Sequence, residues 1–139
     1  MSFETPLPRR RAAKLLLFTD SDRIVTVTGG SGWVNLPGGG IDKGETSHLA
    51  LSRELNEEIG LTIRHMEGLE ELGEVSGQVT SGGRQLIAEW TVYGANLIVP
   101  VRELYPSAEI KRCDTSDRAE LIMSPRVSRL AKQAITQFT

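Results

Sequence analysis

Three glutamates near the middle of the chain have the residue type and spacing that best suit catalysis. Glu54, Glu57 and Glu58 occupy positions i, i+3 and i+4 of a segment with helical periodicity, so their carboxylates share one face. Like charges at these spacings repel each other by a few tenths of a kcal/mol per pair. A divalent cation converts that cost into a gain, because carboxylate oxygens are preferred ligands of Mg²⁺ and Mn²⁺. For an isolated pattern of this kind, a solvated acidic helix face is the commoner explanation.

The residues around the glutamates favour the metal-binding interpretation. Arg53 precedes Glu54 and lies four residues before Glu57, so its guanidinium can neutralise or orient a carboxylate. Gly39 and Gly40 stand where a strand-like segment must turn into the helix. Glycine at such a turn permits a positive φ and a close approach of backbone to a ligand.

The segment 39–61, GGIDKGETSHLALSRELNEEIGL, resembles the signature of the Nudix hydrolase family. That signature is Gly, five residues, Glu, seven residues, then Arg-Glu-apolar-x-Glu-Glu-x-Gly-apolar. At average amino-acid frequencies, a random chain of this length would match in well under about one case in a million. Every specified position matches, namely Gly39, Glu45, Arg53, Glu54, Leu55, Glu57, Glu58, Gly60 and Leu61.

The resemblance implies a catalytic metal site for Mg²⁺, with Mn²⁺ as an alternative. Its ligands would be Glu54, Glu57 and Glu58, with the Gly38 carbonyl as a further candidate. Similar proteins attack one phosphorus of a diphosphate linkage with water. The metal neutralises charge on the phosphoryl oxygens and acidifies the attacking water.

The same resemblance implies supporting roles for other positions of the signature. Glu45 would tie down the loop before the helix, and Arg53 would fix a metal-binding glutamate. Gly60 is a structural position, because a glycine there closes the helix. Gly38 and Gly39 are candidates for contact with the substrate.

The general base stays open between two candidates. Family members use either a glutamate of the signature, here Glu54, or one from a later loop, here Glu109. Glu103 and Glu89 are weaker candidates. For any single downstream glutamate, an exposed surface position is the commoner role.

Two ring-bearing residues lie near this segment. Trp33 is in the loop that enters the site, where an indole could stack on a nucleobase or could equally plug the end of the sheet. His48 falls in the first turn of the helix, where a solvated surface position is more common than a ligand. Trp33 is therefore the candidate substrate-binding side chain.

The elements that must position these groups follow from periodicity and turn residues. Residues 12–19 and 24–28 predict paired strands around Asp20, Ser21 and Asp22. Glycine density predicts an irregular loop over 29–40, interrupted by the apolar stretch 33–36. A helix follows over 46–59, stopped by Gly60. Residues 72–79 and 84–95 predict a hairpin.

A terminal helix completes the predicted fold. Ser124 followed by Pro125 is a helix start signal. An apolar stripe then predicts ordinary core packing. Strands on both sides of a helix predict a three-layer α/β/α sandwich on a mixed sheet, which is the fold that the resemblance also implies. The stripe comprises Val127, Leu130, Ala131, Ala134, Ile135 and Phe138.

Composition sets the protein class. With 39% hydrophobic and 24% charged residues, residues 1–139 are expected to form a single globular domain. A net charge of −2 excludes a global attraction to nucleic acid or membrane. The run Arg9, Arg10 and Arg11 is expected to be a solvated arm, with contact to substrate phosphates as the alternative. No secretory signal is present, so a cytoplasmic location is expected.

Two further expectations concern Cys113 and the oligomeric state. As the single cysteine, Cys113 has no disulfide partner within the chain and is expected to be a buried or half-buried hydrophobe. Homodimers are common among similar proteins, so a homodimer is expected.

Substrate identity is less constrained than reaction class. The proline and the tyrosine that accompany particular substrate classes in this family are absent beyond the signature, where the chain reads VSGQ over 75–78. A nucleoside di- or triphosphate is the first choice of substrate. The alternative function is a Nudix-fold module that binds or senses a nucleotide without cleaving it. The complete set of carboxylates argues against that alternative.

Overall fold

The computed structural model describes residues 6–139, and the strands within that range form one mixed seven-stranded sheet. Within the same range, no helix is long and apolar enough to cross a membrane. The strands are β1 (Arg9–Phe18), β2 (Ile24–Thr28), β3 (Val34–Asn35), β4 (Gly38–Gly40), β5 (Met66–Ser81), β6 (Arg84–Leu97) and β7 (Arg112–Ser116). The helices are α1 (Ser47–Ile59), α2 (Arg118–Met123) and α3 (Arg129–Phe138).

Strand β1 occupies the centre of the sheet, whose main path runs β3-β2-β1-β6-β5. It pairs in parallel with β6 along its whole length, from Arg9 to Phe18. Its other edge is shared, since β2 pairs antiparallel at Phe18 whereas β4 pairs antiparallel at residues 12–14. The predicted strand pair around the turn at 20–22 is therefore confirmed, and the same central strand also holds the glycine segment.

Both faces of the sheet are covered, as the predicted α/β/α sandwich requires. Along β1, Ala12 and Leu16 point into a core shared with α2 and α3, whereas Leu15 and Leu17 point into a core shared with α1. A strand buried on both faces reads as a nearly continuous apolar run, which explains its sequence. The fold prediction is confirmed.

Helix α1 has the bounds that its sequence predicts, to within one residue. The Thr46 hydroxyl accepts a hydrogen bond from the Leu49 amide and caps the first turn. At the other end, Gly60 takes a left-handed conformation with φ 65°, and its N–H group donates to the last turn. The amide of Leu61 donates to the Leu55 carbonyl, so the chain folds back as predicted.

The β5–β6 hairpin is confirmed and is longer than predicted. Its tip is the pair Gly82 and Gly83, with φ values of 58° and 78°, which suits a two-residue turn between strands. The predicted inward side of β6 is also confirmed, because Leu86, Ala88, Trp90 and Val92 are buried in the core on the α3 side.

The predicted start of the terminal helix at Ser124 is wrong. Ser124 instead ends α2, which the sequence analysis missed, and α3 begins after Ser128, whose hydroxyl accepts from the Ala131 amide. A serine followed by proline suits the end of a helix as well as a beginning, because proline cannot continue the preceding turn. Val127 lies outside the helix, although it is buried in the same core.

Three short strands were also missed. Strands β3 and β4 lie within the predicted irregular loop, and β7 lies in a polar stretch without strand periodicity. Cys113 on β7 is half-buried against the α1-side core, as expected, and burial raises the pKa of its thiol to about 11. These strands form because β1 and β2 provide the backbone groups with which they pair.

The corrected cap yields a stability prediction. Ser128→Ala removes the acceptor of the Ala131 amide and is expected to lower the free energy of unfolding by about 1 kcal/mol. Ser124→Ala is the matched control, since its exposed contact with the Arg126 amide lies in a turn, and a change within about 0.5 kcal/mol is expected. Urea unfolding curves measure both. A larger loss in Ser124→Ala would contradict the assignment.

Candidate active site

The glycine strand β4 lies between β1 and the outward face of α1. Gly38 pairs with Lys14 and has a φ of 125°. A side chain at this position would overlap the Ala13 carbonyl oxygen and lie 3.0 Å from the Lys14 Cα. Position 38 therefore requires glycine for its conformation and for the space available.

Gly39 provides the space that Glu54 occupies. A Cβ atom at position 39 would lie 2.5 Å from the carboxyl carbon of Glu54, which is far inside contact distance. Gly40 differs, since an added Cβ there meets nothing within 4 Å. The carboxylate of Glu54 thus lies directly against the backbone of β4.

Glu58 approaches the same strand from the next turn of α1. Its Oε1 accepts a hydrogen bond of 3.0 Å from the Gly38 amide. Burial raises the pKa of Glu58, opposed by the Gly38 amide and the charge of Lys14 and reinforced by the charge of Glu54. The site therefore crowds negative charge into a partly desolvated place, where a cation would be stabilised.

Arg53 binds the carboxylates on the solvent side of this cluster. Its Nε and Nη2 atoms each donate to Glu45 at 2.8 Å, the two-pronged geometry that suits a guanidinium. Its Nη1 donates to Glu54 at 3.0 Å and to Glu57 at 3.3 Å, and Nη2 also donates to the Gly40 carbonyl. One side chain thus connects the loop, the glycine strand and the helix.

Glu45 is the principal partner of Arg53. Hydrogen bonds from Arg53, and then from the Asp42 amide, lower the pKa of Glu45 to about 2. Hydrogen bonds with Glu45, and then with Glu54, raise the pKa of the Arg53 guanidinium. The two positions expected to act as organisers are therefore in direct contact, and they hold the loop between β4 and α1.

Lys14 is the residue of this region that sequence reasoning missed. Its side chain is buried, and its Nζ lies 3.3 Å from the Leu36 carbonyl oxygen and 3.4 Å from that of Gly38. Nζ also lies 5.0 Å from the ring centroid of Trp90. The available signal was a lone charged residue within the apolar run of β1, where burial would be unusual without a partner.

The donor set fits a hard divalent cation. Glu54, Glu57 and Glu58 project from one face of α1 and offer only carboxylate oxygens, and the Gly38 amide donates to Glu58. Within residues 6–139, no three His, Cys, Asp or Glu side chains already converge to hold an ion. Glu54 and Glu57 face Arg53 instead, so cation binding requires side-chain rotation about the long glutamate torsions.

The loop that carries Glu109 adjoins the end of α1. The Ser107 amide donates to the Glu58 carbonyl at 2.8 Å, and the Lys111 amide donates to Thr28. Glu109 lies between these anchors and is exposed. No hydrogen bond or ion pair within residues 6–139 joins its side chain to the glutamates of α1. The backbone of this loop is therefore fixed next to α1, whereas the exposed side chain of Glu109 can rotate.

The weaker candidates for a general base lie elsewhere. Glu103 is exposed, and Glu89 forms an ion pair of 3.3 Å with Arg9.

Arg10 and Arg11 are exposed members of β1, so the basic run belongs to a strand and is not a free arm. None of these residues contacts the glutamates of α1 through a hydrogen bond or ion pair in the described part of the chain.

Trp33 is 54% exposed in the loop between β2 and β3. It lines a small cavity of about 240 Å³ together with Pro125 and Arg126. This exposure favours a stacking surface over a buried plug. His48 is exposed and packs edge-on against Tyr93, with ring centroids 6.2 Å apart, as expected for a surface residue.

Comparison with known proteins assigns the chain to a family. The model of the family described as NUDIX domain matches residues 8–126. No curated protein sequence matches the chain.

Solved structures share the fold at low sequence identity. A MutT protein from Methanosarcina mazei Go1 has a TM-score of 0.76 and 16% identity, covering 97% of this chain and 96% of its own. The Escherichia coli dihydroneopterin triphosphate pyrophosphohydrolase has a TM-score of 0.74 and 19% identity, with 96% and 97% covered. A Caenorhabditis elegans Ap4A hydrolase has a TM-score of 0.70 and 16% identity, covering 93% of this chain and 94% of its own.

The ion pair between Glu45 and Arg53 yields a pH prediction. The pKa of Glu45 lies below its ordinary value of 4.5, so the pair stabilises the fold above that pH and the contribution is lost as the pH falls toward about 2. Wild type is therefore expected to be more stable than Glu45→Gln at pH 7, and this difference should shrink through the acidic window.

Chemical unfolding between pH 7 and pH 2.5 measures that difference. Glu70→Gln, which removes an exposed carboxylate of β5, is the matched control for the loss of one charge. A constant gap between wild type and Glu45→Gln at all pH values would contradict the assignment.

Proposed function

The chain belongs to the NUDIX domain family as a pyrophosphohydrolase, and on that premise we propose that it uses Mg²⁺ or Mn²⁺ to hydrolyse a nucleotide phosphoanhydride. The substrate is a nucleoside triphosphate or a nucleoside diphosphate-linked compound. Water attacks one phosphorus and releases a monophosphate or its counterpart. Residues 1–139 act as one Nudix domain.

One observation carries the proposal. The carboxylates of Glu54 and Glu58 reach the backbone of a strand made only of glycines, while Glu57 lies beside them on the same helix face. Such a surface brings hard oxygen ligands close to a backbone that carries no obstructing side chains. Phosphate oxygens and a cation can both approach there.

Each residue has a distinct task in this reaction. Glu54, Glu57 and Glu58 would hold the metal, which neutralises phosphoryl charge and acidifies water when bound. Arg53 sets the rotamers of Glu54 and Glu57 through direct hydrogen bonds. Glu45 in turn fixes the plane of the guanidinium, which holds Glu54 and Glu57 in the metal-free protein.

Two residues remain candidates for the general base. Glu54 lies against β4 and is already hydrogen-bonded to Arg53, which suits a ligand or a base that is held in place. Glu109 is exposed on a loop anchored next to α1, which suits a base that turns toward a bound substrate. Apo geometry does not exclude either, because catalytic hydrogen bonds tighten when the substrate binds.

The substrate class follows from phosphate chemistry and one aromatic side chain. Two of the similar structures are named for a pterin triphosphate and for a dinucleoside polyphosphate, which supports a substrate with linked phosphates. The exposed indole of Trp33 can stack on a base, and the guanidinium of Arg126, which lines the same cavity, can attract an anion. The cytoplasmic location and the homodimer stay predictions.

Loss of a single ligand charge provides the decisive test. On a panel of nucleoside triphosphates, nucleotide sugars and dinucleoside polyphosphates with Mg²⁺ or Mn²⁺, wild type is expected to release phosphate, pyrophosphate or monophosphate. Glu57→Gln and Glu58→Gln should each lower kcat/KM by about a hundredfold or more, because a neutral amide is a poor ligand for a hard cation. Glu70→Gln is the matched control.

Two results would contradict the hydrolase. One is full activity in both variants, and the other is an absence of turnover on the whole panel. Tight nucleotide binding that persists in chelator without product would instead identify a binding module.

The two neighbouring glycines provide a steric test. Gly39→Ala places a methyl group where the Glu54 carboxylate lies, so kcat/KM is expected to fall at least about tenfold as that carboxylate is displaced. Gly40→Ala is the matched control, since its methyl group would meet nothing within 4 Å and activity should stay near wild type. Steady-state kinetics with circular dichroism separates displacement from unfolding. Equal rates in the two variants would exclude a close approach of Glu54.

A further inference from the structure

We propose that Lys14 is an internal counter-ion of the glutamate cluster, a positioning residue whose charge competes with the bound cation and thereby lowers its affinity. This inference rests on the proposed metal site and goes beyond it, because it assigns a role to a residue outside the signature. The role has two parts. Lys14 stabilises the protein when no metal is bound, and it weakens the binding of the cation.

The first step concerns the contacts of the ammonium group. Lys14 lies opposite Gly38 in the pairing of β1 with β4, and its Nζ donates to the carbonyl oxygens of Leu36 and Gly38. The third neighbour is the ring face of Trp90, which attracts a cation. All three neighbours favour a positive charge, which opposes the effect of burial on the ammonium group.

The second step concerns the link to the glutamates. The peptide groups of Gly38 connect two charges: the amide donates to Glu58, and the carbonyl accepts from Lys14. Burial lowers the pKa of Lys14, whereas the charges of Glu58 and then Glu54 raise it. Lys14 and Glu58 therefore contact the same residue of β4, one through its carbonyl and the other through its amide.

The third step concerns what happens when a cation arrives. The Gly38 carbonyl is a candidate ligand of the metal and is already in contact with Nζ. A divalent ion at Glu54 and Glu58 would thus share carboxylates and one carbonyl with a buried positive charge. Repulsion between like charges is poorly screened at buried positions, so removing the lysine charge should strengthen cation binding.

The direction in which metal affinity changes on removal of Lys14 distinguishes this role from a structural one. A lysine that only packs the site would, on removal, lower both the stability of the protein and its affinity for metal. A counter-ion would, on removal, lower the stability of the metal-free protein and raise the affinity for metal. Lys14→Arg keeps the charge, whereas Lys14→Gln keeps a hydrogen-bond donor without charge and Lys14→Met keeps neither.

The experiment measures Mn²⁺ binding to the substrate-free protein by electron paramagnetic resonance, together with melting temperatures in chelator. Lys14→Gln and Lys14→Met are expected to bind Mn²⁺ roughly three- to tenfold more tightly than wild type and to melt earlier in chelator. Lys14→Arg should restore the wild-type affinity. Lys132→Gln removes one positive charge from α3 and is the matched control. If Lys14→Met does not fold, Lys14→Gln alone decides.

The outcomes separate this inference from the proposed function. Unchanged or weaker Mn²⁺ binding in the neutral variants, while wild type binds and Glu57→Gln does not, overturns the counter-ion and leaves the metal site intact. No Mn²⁺ binding by wild type overturns both. Tighter binding in Lys14→Arg as well as in the neutral variants would also overturn the role of the charge.

Discussion

The approach of the α1 carboxylates to a strand that has no side chains is the contact on which the site depends. Glu54 fits only because position 39 lacks a Cβ atom, and Glu58 reaches an amide only because Gly38 turns its N–H group toward the helix. Pairing with β1 holds this strand in place, and β1 is itself buried on both faces. A rigid, close-packed centre thus supports the candidate active site.

Charge balance explains how the glutamates coexist without unfolding the helix end. Arg53 offsets the charges of Glu54 and Glu57 from the solvent side through charge-assisted hydrogen bonds, and Glu45 orients its guanidinium. Lys14 offsets Glu58 and Glu54 from the buried side. Protein cations thus offset part of their negative charge, and the proposed metal ion would bind once Glu54 and Glu57 rotate away from Arg53.

Much of the fold and of the site follows from local sequence. The spacing of Glu54, Glu57 and Glu58 is a property of one helix turn, and the cap at Thr46 and the left-handed Gly60 follow from the preferences of those residue types. The strand pair, the β5–β6 hairpin and the inward side of β6 also follow from alternation and turn glycines. Such features need only neighbours within a few residues, so a sequence pattern describes them well.

Other features depend on partners that are distant along the chain. Strands β3, β4 and β7 have weak propensity of their own and form because β1 and β2 offer paired edges. Backbone hydrogen bonds from β3 likewise hold residues 126–128 in an extended conformation, so that Ser128, and not Ser124, caps α3. The sequence by itself determined the acidic helix face and the glycines beside it. Only the tertiary structure decided that this face meets the backbone of β4 and that the buried Lys14 lies next to the same strand. These contacts join residues that are distant along the chain, so no repeating pattern in the local sequence reveals them.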